Sequence, residues 1–197
     1  MHLSSLILKE SAPVVKLVPQ SPLGDLDVTV GTVRLREEHI DAIWSLSAGT
    51  GGGSALSAAL VDQTGLPFPD PGELYEDGDV STCWTGPQQA FLLGAAPSGA
   101  VLAAGVATPQ ADAWAVMRLS GADSADVLAR LVAVDLRPQR LGPGHVARCQ
   151  LGHMACILGH LEDGSWRIMV FRSMAKHAAE EIRHAMDGVA ARAARPN

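Results

Sequence analysis

One stretch near the C-terminal end constrains the fold more than any other. Residues 154–161 and 166–171 are apolar, β-prone runs, and Glu162-Asp163-Gly164-Ser165 lies between them. Asp-Gly between two such runs is the strongest short-range hairpin signal, because its glycine adopts the left-handed conformation that a tight turn between twisted strands demands. The spacing therefore predicts a β-hairpin. Ser173 then stands at the N-cap position of a helix whose buried stripe is Ala175, Ala178, Ala179, Ile182, Met186 and Val189. Strand, turn, strand and helix form one unit.

The same order of elements occurs twice. In the first half, residues 40–47 read as a strand, Leu56, Ala59 and Leu60 as a short helix stopped at Gly65, and 66–78 as a long proline- and glycine-rich connection. Two short strands follow at 80–84 and 90–93, then an alanine-rich helix at 100–106. In the second half, 114–119 is a strand and Ser120-Gly121-Ala122-Asp123 resembles a capping box. The helix it opens carries Val127, Leu128, Leu131 and Val132 and ends at Pro138, because a residue that precedes proline disfavours helix. Gly142-Pro143-Gly144 turns the chain into the C-terminal unit. The predicted fold class is α+β: duplicated strand-helix-strand-strand-helix units, ferredoxin-like plaits with antiparallel sheets. The expected division is an extended N-terminal arm at 1–38 with one short strand at 28–35, a first α+β repeat at 39–110, and a second at 111–197.

Composition excludes several classes of function. The 197 residues are 47% hydrophobic, enough for one substantial core or two small joined ones, and the net charge of −6 leaves no basic stripe for a phosphate backbone. Nucleic acid is not an expected partner. Cys83, Cys149 and Cys156 make neither a C-x-x-C pair nor an even disulfide set, which predicts a reducing compartment, the cytoplasm. Glu10 and Pro13 interrupt the apolar N-terminus, so no signal peptide is expected, and no apolar run reaches the roughly 20 residues of a membrane span.

No stretch carries a catalytic signature. Gly49-Thr50-Gly51-Gly52-Gly53 sits between a strand and a helix, where a phosphate can bind. Its spacing misses the dinucleotide fingerprint, Asp70 stands in a loop instead of at a strand end, and no P-loop lysine follows. Read as one extended strand, 145–160 places His145, Cys149 and His153 on one side and Cys156 and His160 on the other, short of the three or four converging ligands of a zinc site. His177 and His184 fall on the solvent face of the last helix. Asp70, Glu73, Glu76, Asp77 and Asp79 lack a calcium-loop pattern. Cys83 has no neighbouring base, Trp84 reads as core, and no G-x-S-x-G elbow is present. The expectation is no catalytic residue and no metal ligand, with cofactor contacts undefined.

Several motifs, in order, resemble a known family. Trp84-Thr85-Gly86-Pro87 with 88–93, Asp112 through Gly121, 126–131, 134–138, Gly144-His145, Leu151-Gly152-His153-Met154 and Val170-Phe171-Arg172-Ser173-Met174 look like the gamma subunit of heterotetrameric sarcosine oxidase. They cover roughly residues 80–180. The resemblance implies the folate-binding aminomethyltransferase superfamily, whose fold contains tandem plait-like units. It also implies a complex with alpha, beta and delta chains that oxidises the N-methyl group of sarcosine, giving glycine, hydrogen peroxide and a one-carbon unit for tetrahydrofolate. The resemblance places FAD, FMN and NAD in the large chains and zinc in the delta chain, with no cofactor bound by this one. No position matches the superfamily's catalytic aspartate, and Cys149, in Ala-Arg-Cys-Gln, lacks the Lys-Gly-Cys signature of related iron–sulfur maintenance proteins. What the resemblance implies is a structural subunit; the alternative is a free-standing folate-binding module with a regulatory or transfer role.

Overall fold

The computed structural model describes residues 20–49 and 51–194. Eleven strands form two antiparallel sheets. The first sheet contains β3 (Ile43–Ser47), β4 (Leu74–Asp77), β5 (Val80–Gly86), β6 (Gln89–Leu93) and β7 (Val106–Pro109), in the order β4-β5-β6-β3-β7. The second contains β1 (Asp27–Val30), β2 (Val33–Glu37), β8 (Trp114–Ser120), β9 (His145–Leu151), β10 (Met154–His160) and β11 (Trp166–Phe171), in the order β1-β2-β8-β11-β10-β9. Helices α1 (Gly53–Thr64) and α2 (Gly99–Ala104) belong to the first sheet, α3 (Ser124–Leu128) and α4 (Ala175–Ala193) to the second. The fold is α+β and duplicated. Four strands at the heart of each sheet correspond in order, β4-β5-β6-β3 to β9-β10-β11-β8.

The sheets pack face to face. Ile43, Leu74, Phe91 and Leu93 of one meet Val116, Ile157 and Met169 of the other in a shared core. The helices cover the outer faces. Leu56, Leu60 and Val101 close over the first sheet, while Ala178, Ile182 and Met186 lead a much larger cluster over the second. The result is four layers, helix, sheet, sheet, helix, in which each strand buries one set of alternate residues inward and the other outward.

Each plait needs a strand beside its first one, and the two find it differently. In the first sheet β7, which directly follows α2, pairs with β3. In the second the place beside β8 is taken by β2, from the N-terminal segment. The segment expected to hold one strand at 28–35 is thus a hairpin, 27–30 with 33–37, built into the second sheet; the part of the expected arm at 1–19 lies outside the described residues. The turns of β1–β2, β4–β5 and β9–β10 each open on a glycine, Gly31, Gly78 and Gly152, with φ near +60°.

Several other expectations are corrected. Residues 145–160 are not one strand: Gly152-His153 reverses the chain, so Leu151 faces Met154, Cys149 faces Cys156 and His145 faces His160. Strand β4 emerges from the proline-rich connection, and β7 follows a helix that stops at Ala104. Helix α3 covers only 124–128; its N-cap Asp123 makes no side-chain cap bond and instead accepts from Thr32 Oγ1 at 2.6 Å. Ser173 is not an N-cap either, because a 3-10 turn over Arg172–Met174 leads into α4. Gly65, at φ 77°, does end α1 as a left-handed C-cap.

Candidate functional site

At one end of the interface between the sheets the two layers part around a cleft of about 550 Å³. Ser45 and Phe91 contribute from the first sheet, Trp114, Arg148 and Phe171 from the second, and Gln110 from the linker between the plaits. Trp114 is the centre of an aromatic group. Its ring lies 4.7 Å from Phe171 and 5.4 Å, edge to face, from Phe91. The Trp114 indole N–H is buried and has no acceptor, a costly state for a donor out of water. Arg148 donates from Nη1 to the Thr85 carbonyl at 2.9 Å. The chain carries a net charge of −6, yet among the described residues no carboxylate lines this cleft.

At another margin of the interface stands a network of the opposite character. Arg36, Arg118 and Arg167 face one another across β2, β8 and β11, a row of like charges that is unfavourable without counter-ions. Glu38 supplies the main one, accepting from Arg167 Nε at 3.0 Å and Nη2 at 3.2 Å. Ser81 accepts from Nη1 at 2.9 Å, and Glu76 Oε1 lies 3.4 Å from Nη2, so Arg167 bridges both sheets. Burial lowers the Arg167 pKa, but Glu38 and Glu76 outweigh it and leave it raised. Asp163 Oδ2 meets Arg118 Nη1 at 3.4 Å, and its carboxyl is held below the ordinary value by Ser165 and both arginines. This network fastens the two plaits at the turn that Asp163-Gly164 makes.

The residues singled out in the sequence are spread among other roles. His160 is buried, donates from Nδ1 to the Leu141 carbonyl at 2.9 Å and stacks on Trp166 at 4.0 Å. His145, His153, His177 and His184 are exposed. Cys149 and Cys156 are neighbours; the bond between their thiols lowers the pKa of Cys149 and, with burial, raises that of Cys156. Burial pushes Cys83 up to about 12. Among the described residues no histidine bonds to a serine, threonine or cysteine side chain. The glycine-rich turn at 49–53, with Thr50 outside the described residues, and the 66–78 connection are brought to one cleft of about 660 Å³ that also holds Trp84. Asp70 and Glu73 line it, which disfavours a phosphate.

A group absent from the sequence reading is Asp25, Glu37 and His39, whose side-chain ligand atoms lie within 4.8 Å of one another. Glu37 is buried and accepts from Ser21 Oγ at 2.5 Å and the Asp25 N–H at 3.1 Å, so it holds the 21–25 turn against the second sheet. His39 Nε2 lies 2.9 Å from Asp25 Oδ1. A Glu-x-His pair at a strand end was the only signal available for it.

No family model matches the chain, and no curated protein matches it. Among solved structures, a chain of heterotetrameric sarcosine oxidase from Corynebacterium sp. U-96, crystallised with pyrrole 2-carboxylate, superposes with a TM-score of 0.73 at 26% identity. The alignment covers 87% of this chain and 96% of that one. The chain shares the fold of that sarcosine oxidase chain. The likeness to that subunit includes both plaits, since neither alone amounts to 87% of the residues. A looser match, to the ligand-free regulatory subunit of aspartate kinase from Thermus thermophilus, has a TM-score of 0.35 at 12% identity over 80% of this chain and 99% of that one, too distant in shape to bear on the fold. Among the described residues no helix is long and apolar enough to cross a membrane.

Proposed function

We propose that this chain is the gamma subunit of a heterotetrameric sarcosine oxidase complex, a non-catalytic part that packs against the large chains and shapes the cavity in which the one-carbon unit passes to tetrahydrofolate. The observation that carries this reading is the superposition over 96% of the sarcosine oxidase chain, across both plaits. The side chains agree with it. The largest polar network, around Arg167, has its charges turned on one another and joins the two sheets, which is the work of a scaffold. In this reading alpha, beta and delta chains are the partners and carry the FAD, FMN, NAD and zinc, in the cytoplasm.

Affinity purification of the tagged chain from its own host, followed by native mass spectrometry, tests the reading. The expected result is recovery of a large yellow flavoprotein at near-equal stoichiometry. Recovery of the chain alone, from cells that demonstrably make the large chains, overturns it. Saturable calorimetric binding of tetrahydrofolate to that lone chain then establishes the free-standing folate-binding module instead.

A further inference from the structure

We propose that the 550 Å³ cleft between the sheets seats a segment of a partner chain that presents a carboxylate beside an aromatic or aliphatic side chain. The assignment rests on the subunit reading and gives it an interface. Three observations converge on it. First, among the described residues the cleft contains arginine and no acid on a chain of net charge −6, whereas five carboxylates line the cleft beside the Arg167 network and two line that at the proline-rich loop. Second, Arg148 is anchored by a single bond to the Thr85 carbonyl and has no ion-pair partner among the described residues, so its remaining guanidinium donors are open.

Third, exposed apolar side chains stand at and beside the cleft. Phe171 is 47% exposed although its ring lies 4.7 Å from that of Trp114, tilted by 31°. On the opposite wall Val106 is 66% exposed; it pairs with Ser47 in β7, an edge strand, and by strand alternation shares a face with Ser45 in the cleft. A half-exposed aromatic beside an arginine in a pocket that excludes acids is the composition of an interface anchor site. A small aromatic acid that fills the cleft leaves Val106 in water, whereas a protein segment runs on over it.

The experiment compares the assembly of variants with the large flavin-bearing chains. Arg148→Glu, at an exposed site, is expected to weaken association about tenfold at low salt, with added salt recovering part of the loss. Phe171→Ser is expected to weaken it about thirtyfold. Leu102→Ser, equally exposed but on α2 over the outer face, leaves it within about twofold of the parent. Thermal melts confirm that each variant is folded, and Arg148→Gln, which removes charge without reversing it, falls between Arg148→Glu and the parent. If the unmodified chain assembles and the cleft variants assemble equally well, the cleft assignment fails while the subunit reading stands. If the unmodified chain does not assemble, both fall. Titration with quinoline-2-carboxylate supplies the remaining arm: saturable binding blocked by Arg148→Glu, with assembly unaffected, makes the cleft a small-molecule site and overturns the proposal.

Discussion

The outer core of the first plait consists of six buried residues; that of the second has 22. The two share the strand order, yet their helices are apportioned in reverse. In the first, the helix after the leading strand is long, 12 residues, and the closing one has 6; in the second these are 5 and 19. A plait can thus be closed by either helix, and what matters is the apolar area brought down on the sheet. The second unit, with α4 and the borrowed N-terminal hairpin over one continuous core, holds most of the stabilising burial. The first unit depends more on the sheet-to-sheet contact and on the Arg167 network.

Truncations in the two outer cores break or sharpen this contrast most directly. Leu158→Ala, in the second core, is expected to cost about 4 kcal/mol, and Leu60→Ala, in the first, about 2 kcal/mol, because a thin helix layer collapses onto a cavity more readily. Equal costs in urea unfolding would remove the asymmetry. Next in size is Glu38→Gln, which leaves Arg167 buried with Glu76 as its remaining carboxylate and is expected to cost about 3 kcal/mol. If the network joins the plaits, this variant also separates their unfolding into two transitions.

A smaller effect arises at alkaline pH. Burial raises the Cys83 thiol to about 12 in the folded chain from an ordinary value of 9.0, so the fold favours the protonated form. The stability it contributes is complete below pH 9 and is lost as the pH rises toward 12, by about 1 kcal/mol at pH 10. Cys83→Ala should flatten the stability profile in that window, and an unchanged slope between pH 9 and 11 would assign it to other groups. Thiol labelling at pH 8 should find Cys149 first, since it is half-buried with a lowered pKa, while Cys83 and Cys156 react only on unfolding. The smallest effect belongs to Asp135→Asn. Its pKa, held at about 2 by Arg137 on the surface, changes nothing measurable in 0.15 M salt.

What the sequence made legible follows the same division between local and distant causes. The Asp163-Gly164 hairpin, the long terminal helix, the Gly65 stop and the repeated order of elements are encoded in neighbouring residues. Three further hairpins were equally local but faintly marked. Gly31-Thr32, Gly78-Asp79 and Gly152-His153 sit in runs that are short, polar or proline-flanked, so the turn signal lacked apolar strands on both sides. The cap at Ser120–Asp123 was overridden by tertiary structure, because Thr32, 91 residues away, takes the Asp123 carboxylate. The cleft was not readable at all. Trp114 was read as part of a strand and Phe171 as the end of another; only the packing of sheet on sheet brings them beside Arg148. No periodicity records which edge strand a β2 residue will join.

That last point reaches back to how the chain is made. Val33–Glu37 leaves the ribosome early, yet its neighbour in the sheet, Trp114–Ser120, is about 80 residues behind it. At roughly 5–20 residues per second the hairpin waits some seconds with one edge unsatisfied while the first plait, whose strands are contiguous, is completed. Gly31 ends up against Ala190, where an added Cβ would lie 3.3 Å from that side chain, so the hairpin is sealed by a helix made after the second sheet's strands. A hairpin placed in the chain directly beside its partner strand would spare the second plait that waiting interval.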